Sequence, residues 1–104
     1  MGLFTFAADI NKGVEEFQST PGARLVDVRT PEEYAAGHIP GSISIPLAAL
    51  PARYHELGDP DTPLFVHCLS GGRSGQAVSF LKRAGYTNVK NIGGINAYRG
   101  KVEN

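Results

Sequence analysis

The chain contains no tryptophan, one methionine and one cysteine among its 104 residues. A single cysteine excludes an internal disulfide, which fits a reducing compartment without proving one. Ten basic residues balance ten acidic ones, so no net charge attracts nucleic acid or an anionic membrane. No apolar run is long enough to span a bilayer, and the amino terminus lacks a basic segment followed by a long apolar core. We therefore expect a soluble chain without nucleic-acid or membrane partners, cytoplasmic or, if a signal peptide has been removed, periplasmic.

The length of 104 residues is enough for one hydrophobic core and not for a second, so we expect a single domain over residues 1–104. Short apolar runs alternate along the chain with stretches of helical periodicity. The predicted strands are Leu3–Phe6, Ala23–Val28, Ile43–Ile45, Leu64–Val66 and Val89–Ile92, and the predicted helices are Ala7–Phe17, Thr30–Gly37, Leu47–Leu57 and Ser74–Gly85, with a short one around Ile95 and Tyr98. This alternation predicts an α/β domain with a mainly parallel central sheet of about five strands.

The strongest local pattern is Thr30-Pro31-Glu32-Glu33, which has the spacing of a capping box with proline at the first helical position. We expect it to start a short helix. The helix N-terminus, where negative charge is favourable, then explains both glutamates better than an acid and base pair does.

The stretch VHCLSGGRSGQAVSFL, residues 66–81, joins the only cysteine to a strand, a loop and a helix. Cys68 would lie at the carboxyl end of a buried parallel strand, where ligands bind in open α/β sheets. Two glycines allow the loop to turn several backbone N–H groups inward as an anion-binding nest. Ser74 is expected to be the N-cap of the next helix, whose positive end, together with Arg73, would favour a thiolate.

A lone buried cysteine is more often a small core residue than a reactive one. Here, however, Gly71, Gly72, Arg73 and Ser74 follow Cys68 within six positions. This cluster favours a nucleophile over a packing role.

Three segments, LVDVRTPEEYAAGHIPGSISIP, HCLSGGRS and NVKNIGGINAY, together resemble a single-domain rhodanese over nearly the whole chain. Within that family the chain is most similar to small bacterial sulfurtransferases of the phage-shock type. The resemblance implies a rhodanese-like three-layer α/β/α domain. It also implies that Cys68 is the nucleophile and bears a persulfide during turnover, in a substrate-binding cradle formed by Leu69, Ser70, Gly71, Gly72, Arg73 and Ser74.

The segment HCLSGGRS also resembles the tyrosine-phosphatase signature, in which five residues separate the cysteine from the arginine. Here four residues separate Cys68 from Arg73. By resemblance, the shorter loop is typical of sulfur-transferring rhodaneses and the longer loop of relatives that bind phosphate or arsenate. A phosphoryl group carries three equatorial oxygens that need donors, so a smaller cradle suits one terminal sulfur better. A phosphatase is therefore the least favoured alternative.

Asp27 and Arg29 close the strand that neighbours the one ending at Cys68. They could line the pocket or brace the loop, and the resemblance favours bracing, with Asp27 accepting loop N–H groups or pairing with Arg73. The sequence leaves two roles open for Arg73, contact with an anionic donor or support of the loop. His67 precedes the nucleophile on a strand, so their side chains point to opposite faces, and we expect His67 to be buried and not to act as a base.

Three scattered histidines and one cysteine do not make a metal site, and neither glycine pair has the spacing of a dinucleotide-binding loop. We therefore expect no metal and no cofactor.

The leading hypothesis is a thiosulfate sulfurtransferase that works by double displacement through a Cys68 persulfide. The expected partners are a small anionic sulfur donor such as thiosulfate, and cyanide or a thiol as acceptor. The alternative is a persulfide carrier or docking module that passes sulfur to a protein acceptor.

Overall fold

A four-stranded sheet forms the centre of residues 8–104, the part of the chain that the computed structural model describes. Its strand order is β2-β1-β3-β4, and every neighbouring pair is parallel. The strands are β1 (Arg24–Asp27), β2 (Ser42–Ser44), β3 (Leu64–Cys68) and β4 (Val89–Gly94). The α/β class with a parallel sheet is confirmed. Of the five predicted strands these four form, and the fifth, Leu3–Phe6, lies outside the described residues.

Helices cover both faces of the sheet. They are α1 (Ile10–Ser19), α2 (Pro31–Ala36), α3 (Leu50–Arg53) and α4 (Gly72–Arg83), with 3-10 turns at Leu47–Ala49, Tyr54–Leu57 and Ile95–Ala97. None of the helices within residues 8–104 has both the length and the apolar character that crossing a membrane requires.

Two separate cores lie on the two faces of the sheet, because neighbouring side chains of a strand point in opposite directions. Leu25 and Phe65 pack in the core that contains α1, whereas Val26 and Val66 pack in the core that contains α3 and α4. Full burial of a side chain of this size contributes roughly 1.5–3 kcal/mol. A shift of either strand by one residue would turn the side chains of each core towards the opposite face of the sheet. The alternation of the two groups of apolar side chains along a strand therefore specifies the register of strand pairing. The three-layer α/β/α arrangement is confirmed.

The first helix begins later than its periodicity predicted. The prediction was Ala7–Phe17, whereas α1 runs over Ile10–Ser19. Its N-cap is Asp9, whose carboxylate accepts hydrogen bonds from the N–H groups of Asn11 and Lys12. An acceptor at this position satisfies donors that the first turn leaves free, so it determines where the helix begins.

The second helix confirms the predicted capping box. Thr30 Oγ1 accepts the N–H of Glu33 at 3.2 Å, and Glu33 Oε1 accepts the N–H of Thr30 at 2.9 Å. These reciprocal bonds fix the direction of the Glu33 carboxylate, which also contacts Arg73 of α4.

The predicted helix over Leu47–Leu57 is broken into three short pieces. A 3-10 turn covers Leu47–Ala49, α3 covers Leu50–Arg53, and a second 3-10 turn covers Tyr54–Leu57. Pro51 lies in the first turn of α3, where its missing N–H is tolerated, and it prevents one continuous helix from running through this position.

Candidate active site

Cys68 is the last residue of β3, which lies between β1 and β4. All five residues of β3 are buried, and Cys68 is only 1% exposed. In a parallel sheet the carboxyl ends of the strands meet at one edge, which is where ligands bind in open α/β folds. Cys68, the predicted nucleophile, therefore lies at the edge of the sheet where the sequence predicted it.

The loop after Cys68 leads directly into α4. Gly71 has a φ of +106°, a left-handed conformation that glycine adopts without steric penalty, and the helix begins at the next residue, Gly72. The prediction that Ser74 is the N-cap is wrong, because Gly71 occupies that position, three residues earlier. Ser74 instead lies inside the first turn and is fully buried.

The sulfur of Cys68 takes the place of a capping side chain. Its Sγ accepts hydrogen bonds from the N–H of Gly71 at 3.0 Å and the N–H of Ser74 at 3.3 Å. An N-cap side chain ordinarily accepts the N–H of the second or third helical residue, and Ser74 is the third residue of α4. The positive end of the helix dipole consequently points at the sulfur.

These contacts favour the thiolate form of Cys68. Burial on its own would raise the pKa of the thiol, because it withdraws the charged form from water. Hydrogen bonds from the Ser74 hydroxyl and N–H, and from the N–H groups of Gly71 and Ser70, outweigh burial and hold the pKa of Cys68 below its ordinary value. The thiolate is the nucleophilic form of cysteine, so the site is suited to nucleophilic attack.

Strand β4 ends so close to the loop that only glycine fits there. A Cβ atom on Gly94 would overlap the carbonyl oxygen of Leu69 and the Cα of Ser70. The same Leu69 carbonyl accepts the backbone N–H of Asn96 at 3.1 Å. The chain after β4 therefore holds down the first half of the loop.

Asn91 of β4 lies against the loop and the first turn of α4, a position that was not predicted from the sequence. Its Oδ1 accepts the Ser74 hydroxyl at 2.8 Å and the N–H of Gly93 at 3.0 Å, and its Nδ2 donates to the carbonyl of Gly71 at 3.1 Å. Asn91 thus connects the loop, the first turn of α4 and the end of β4. The pattern that could have indicated Asn91 is a polar side chain near the carboxyl end of β4, the strand next to the one that ends at Cys68.

Arg73 forms a bidentate ion pair with Glu33 of α2. Its Nη1 lies 2.7 Å from Glu33 Oε1, and its Nη2 lies 3.0 Å from Oε2. The hydrogen bonds from Arg73, with that from the Thr30 N–H, lower the pKa of Glu33 to about 2. The alternative pairing of Arg73 with Asp27 is wrong. Glu33 therefore has a second role besides the predicted capping box, as the partner of Arg73.

Asp27 and Arg29 form a buried pair beneath the site. Arg29 Nη2 donates to Asp27 Oδ2 at 2.7 Å and to the carbonyl of Gly37 at 2.8 Å. Among the described residues, the hydrogen bonds of the Asp27 carboxylate come from Arg29 and none comes from the loop of residues 69–74. His67 lies between Asp27 and Cys68: its Nδ1 lies 3.1 Å from the carbonyl oxygen of Cys68, whereas its Nε2, 3.7 Å from Asp27 Oδ2, has no hydrogen-bond partner within residues 8–104.

His67 is buried, as the sequence predicted. Burial lowers its pKa below the ordinary value despite the nearby Asp27 carboxylate, so the ring is neutral near pH 7. Because a carbonyl oxygen can only accept, Nδ1 carries the hydrogen and donates to Cys68. His67 therefore supports the backbone of Cys68, and within residues 8–104 it makes no hydrogen bond to the sulfur.

A cavity of about 490 Å³ adjoins the loop, and its lining includes Ser70, Gly71 and Asn91. A smaller one of about 350 Å³ lies between α3 and α4, is lined by Leu50 and Phe80 among others, and includes no residue of the 69–74 loop. No group of three or more histidine, cysteine or carboxylate side chains within residues 8–104 is arranged to hold a metal ion.

The profile of the rhodanese-like domain matches residues 9–101. The chain is 39% identical over 82 residues to the uncharacterized protein YqhL of Bacillus subtilis, a match that covers 78% of this chain and 64% of that protein, so this chain spans less than two thirds of that relative. It is 41% identical over 71 residues to the thiosulfate sulfurtransferase PspE of Escherichia coli, covering 67% and 68% of the two chains. Among solved structures it is similar to a rhodanese with anions from E. coli, with a TM-score of 0.72, 35% identity and coverage of 78% and 96%. With its fold, its loop and these relatives in agreement, the chain belongs to the rhodanese family.

Proposed function

We propose that the protein transfers a sulfane sulfur from a small anionic donor such as thiosulfate to cyanide or a thiol, through a persulfide on Cys68. In the first step the Cys68 thiolate attacks the outer sulfur of thiosulfate. A new S–S bond forms to Cys68, the S–S bond of the donor breaks, and sulfite leaves with the bonding electrons. In the second step cyanide or a thiolate attacks the terminal sulfur, and Cys68 leaves as a thiolate. The cycle restores the nucleophile and needs no external oxidant or reductant.

The observation that carries this proposal is the set of donors around Cys68 Sγ. Two backbone N–H groups and one hydroxyl converge on the sulfur at the N-terminus of α4, and the pKa of the thiol is lowered. A buried cysteine with only a packing role has no need of such donors. Thiosulfate is the first donor to test, because a relative that is 41% identical is a thiosulfate sulfurtransferase.

The cradle of Leu69, Ser70, Gly71, Gly72, Arg73 and Ser74 is proposed to bind the terminal sulfur of the persulfide. In a persulfide the negative charge moves from Sγ to the terminal sulfur. N–H groups that lie close to Sγ can also donate hydrogen bonds to the terminal sulfur and stabilise its charge, as the donors of an oxyanion hole stabilise oxygen. The charge can therefore be stabilised in both states of the cysteine by the same loop.

Arg73 is proposed to contribute to donor binding as well as to loop support. A guanidinium group has five N–H donors, and the pair with Glu33 uses two of them. Asp27 and Arg29 are proposed to brace the loop indirectly, since their pair fixes the end of β1, where the N–H of Val28 donates to the carbonyl of His67, next to Cys68, at 3.1 Å.

Intact mass spectrometry of the purified protein tests the persulfide cycle. The mass is recorded before and after thiosulfate, and again after cyanide, with Cys68→Ala as the control. Because the chain has one cysteine, a gain of one sulfur atom that is absent from Cys68→Ala locates the persulfide. We expect this gain, followed by its loss as thiocyanate forms. No gain, or an equal gain in Cys68→Ala, would contradict the proposal.

A second candidate function is a persulfide carrier that passes its sulfur to a protein. Leu69 favours it, because this side chain directly follows the nucleophile and is 43% exposed. An apolar side chain at the rim of the site can contact a protein acceptor, whereas cyanide or a small thiol does not require it.

The rate at which the persulfide is lost distinguishes the two candidates. Rapid loss to cyanide or a small thiol supports the sulfurtransferase. A persulfide that persists in their presence, and is lost quickly only to a thiol-bearing protein, supports the carrier.

A further inference from the structure

The Ser74 hydroxyl has one hydrogen and three acceptors within reach. Asn91 Oδ1 lies at 2.8 Å, the carbonyl oxygen of Gly71 at 3.1 Å and Cys68 Sγ at 3.4 Å. A hydroxyl group donates one hydrogen bond at a time. Because Ser74 is fully buried, these three groups compete for its hydrogen. The outcome determines whether the sulfur receives a side-chain donor in addition to its backbone donors.

The orientation of the Asn91 amide is determined by backbone groups on both sides. The N–H of Gly93 can only donate and lies 3.0 Å from Oδ1, and the carbonyl of Gly71 can only accept and lies 3.1 Å from Nδ2. A flipped amide would place donor against donor and acceptor against acceptor. Oδ1 is thereby fixed towards Ser74 as an acceptor, while Nδ2 satisfies the competing Gly71 carbonyl.

We propose that Asn91 is a positioning residue for the reaction of Cys68, which holds the Ser74 hydrogen while Sγ is uncharged and releases it to Sγ when the sulfur becomes a thiolate. This inference rests on the proposed function, because it concerns the same cysteine. An uncharged sulfur is a weak acceptor, so the amide oxygen keeps the hydrogen. A thiolate is a charged acceptor and forms the stronger bond.

The change of partner leaves no buried group without a hydrogen bond. When the hydroxyl turns towards Sγ, Asn91 Oδ1 still accepts the N–H of Gly93, and the Gly71 carbonyl still accepts from Asn91 Nδ2. An unsatisfied buried acceptor would oppose the rotation, and none arises here.

The movement fits the second half of the cycle. When an acceptor removes the terminal sulfur, the bonding electrons stay on Cys68 Sγ, which becomes a thiolate. The Ser74 hydroxyl then rotates from Asn91 to Sγ without transfer of a proton. Asn91 therefore supplies a donor at the moment when the leaving sulfur acquires its charge.

A double-mutant cycle tests this role through the pH dependence of alkylation by iodoacetamide. The single cysteine ensures that the rate reports Cys68 alone. Asn91→Ala and Asn91→Asp are each made in the natural chain and in Ser74→Ala. Asn91→Ala removes the amide that competes for the hydrogen, and Asn91→Asp replaces it with a charged acceptor of the same shape.

Both substitutions are expected to act through Ser74. Compared with its effect in Ser74→Ala, Asn91→Asp should lower the thiolate fraction in the natural chain by about three- to tenfold at a pH below the pKa, because a carboxylate holds the hydrogen more strongly than the amide does. Asn91→Ala removes the acceptor at 2.8 Å, but it also removes the Nδ2 donor of the Gly71 carbonyl at 3.1 Å, which then competes for the same hydrogen, so it should change the thiolate fraction less than Asn91→Asp does. A residue that only supported the loop would shift the profile by the same amount with and without Ser74. That result for Asn91→Asp would overturn the proposal.

The charged and titratable groups already present around the sulfur are unchanged in all these variants, and the direct effect of the carboxylate that Asn91→Asp adds is subtracted by comparison with the Ser74→Ala background. These groups are Arg73 on α4, Glu33 on α2, Asp27 and Arg29 at the end of β1, and His67 on β3. Asn96→Ala is the matched control, because Asn96 also lines the cavity beside the loop and its side chain makes no hydrogen bond within residues 8–104. It should leave the alkylation profile unchanged.

Alkylation requires no sulfur transfer, so the test is independent of whether thiosulfate is a donor. If Asn91→Ala does not fold, Asn91→Asp still completes a cycle, since it preserves the size of the side chain. If no persulfide forms but the effect of the Asn91 substitution depends on Ser74, the proposed function is refuted and the role of Asn91 stands. If the persulfide forms but the effect does not depend on Ser74, only the role of Asn91 is refuted.

Discussion

Replacing Glu33 with glutamine isolates the stabilisation that comes from its ion pair with Arg73. Glutamine keeps a side-chain oxygen that can complete the capping box with Thr30, so mainly the charge is lost. In the folded protein the pKa of Glu33 falls from its ordinary value of 4.5 to about 2. A shift of this size corresponds to roughly 3 kcal/mol between the two protonation states. Because the side chains are 33% (Arg73) and 30% (Glu33) exposed, solvent screening reduces the expected loss in Glu33→Gln to about 1 kcal/mol.

The loss should depend on pH in a defined direction. A carboxylate whose pKa is lowered on folding stabilises the folded state fully above its unfolded value, here 4.5, and this stabilisation disappears as the pH falls towards 2. The natural chain and Glu33→Gln should therefore differ most near pH 7 and converge between pH 4.5 and pH 2.

Urea unfolding followed by circular dichroism at several pH values measures this difference. The chain offers a matched control in Glu56, which forms a similar two-bond pair with Arg53 but is more exposed, with side chains 40% (Arg53) and 43% (Glu56) exposed. Glu56→Gln should cause no measurable change in unfolding free energy. An equal loss in the two variants, or a loss in Glu33→Gln that stays constant down to pH 2, would refute the reasoning.

Three further predictions concern the site and its support. Alkylation of Cys68 should have a midpoint below the ordinary thiol pKa of 9.0, because the loop donors lower its pKa, and a midpoint at or above 9.0 would contradict this. Gly94→Ala should lower the unfolding free energy by about 1–3 kcal/mol and slow alkylation, since the new Cβ would overlap the loop backbone. Gly72→Ala, whose Cβ would meet nothing within 4 Å, is its control and should cost no stability in urea. Asp27→Asn should cost about 3–5 kcal/mol in the same assay because it leaves the buried guanidinium of Arg29 without its carboxylate, and a loss below about 1 kcal/mol would show that the pair is not a buried ion pair in solution.

The features that the sequence predicted well are those encoded within a few neighbouring residues. The capping box at Thr30 needs only a side chain at the N-cap and a carboxylate three residues later, and both bonds form. The central strand is encoded by a run of apolar residues after Pro63, and all five residues of β3 are buried. Once strands and helices alternate, few topologies remain, so the position of Cys68 at the carboxyl edge followed from the chain order.

The features that the sequence did not predict depend on residues far apart in the chain. Glu33 and Arg73 are separated by 40 residues, and Ser74 and Asn91 by 17. The local periodicity of the sequence does not predict which polar side chains contact each other at the edge of a sheet, because these contacts depend on strand order and register. Asn91 shows this clearly, since its amide contacts Ser74 only because β4 pairs with β3 and continues beside the loop.

The wrong N-cap prediction has a different cause, which bears directly on the chemistry. The capping rule assumes that the acceptor for the first helical N–H groups is the side chain of the residue just before the helix. In α4 the N-cap is Gly71, which has no side chain, and the acceptor is the sulfur of Cys68 at the end of the preceding strand. A capping side chain at position 71 would accept the N–H of Ser74, the third residue of α4, and would compete with the sulfur for it. The departure from the ordinary capping pattern is therefore what leaves N–H groups free to stabilise a thiolate.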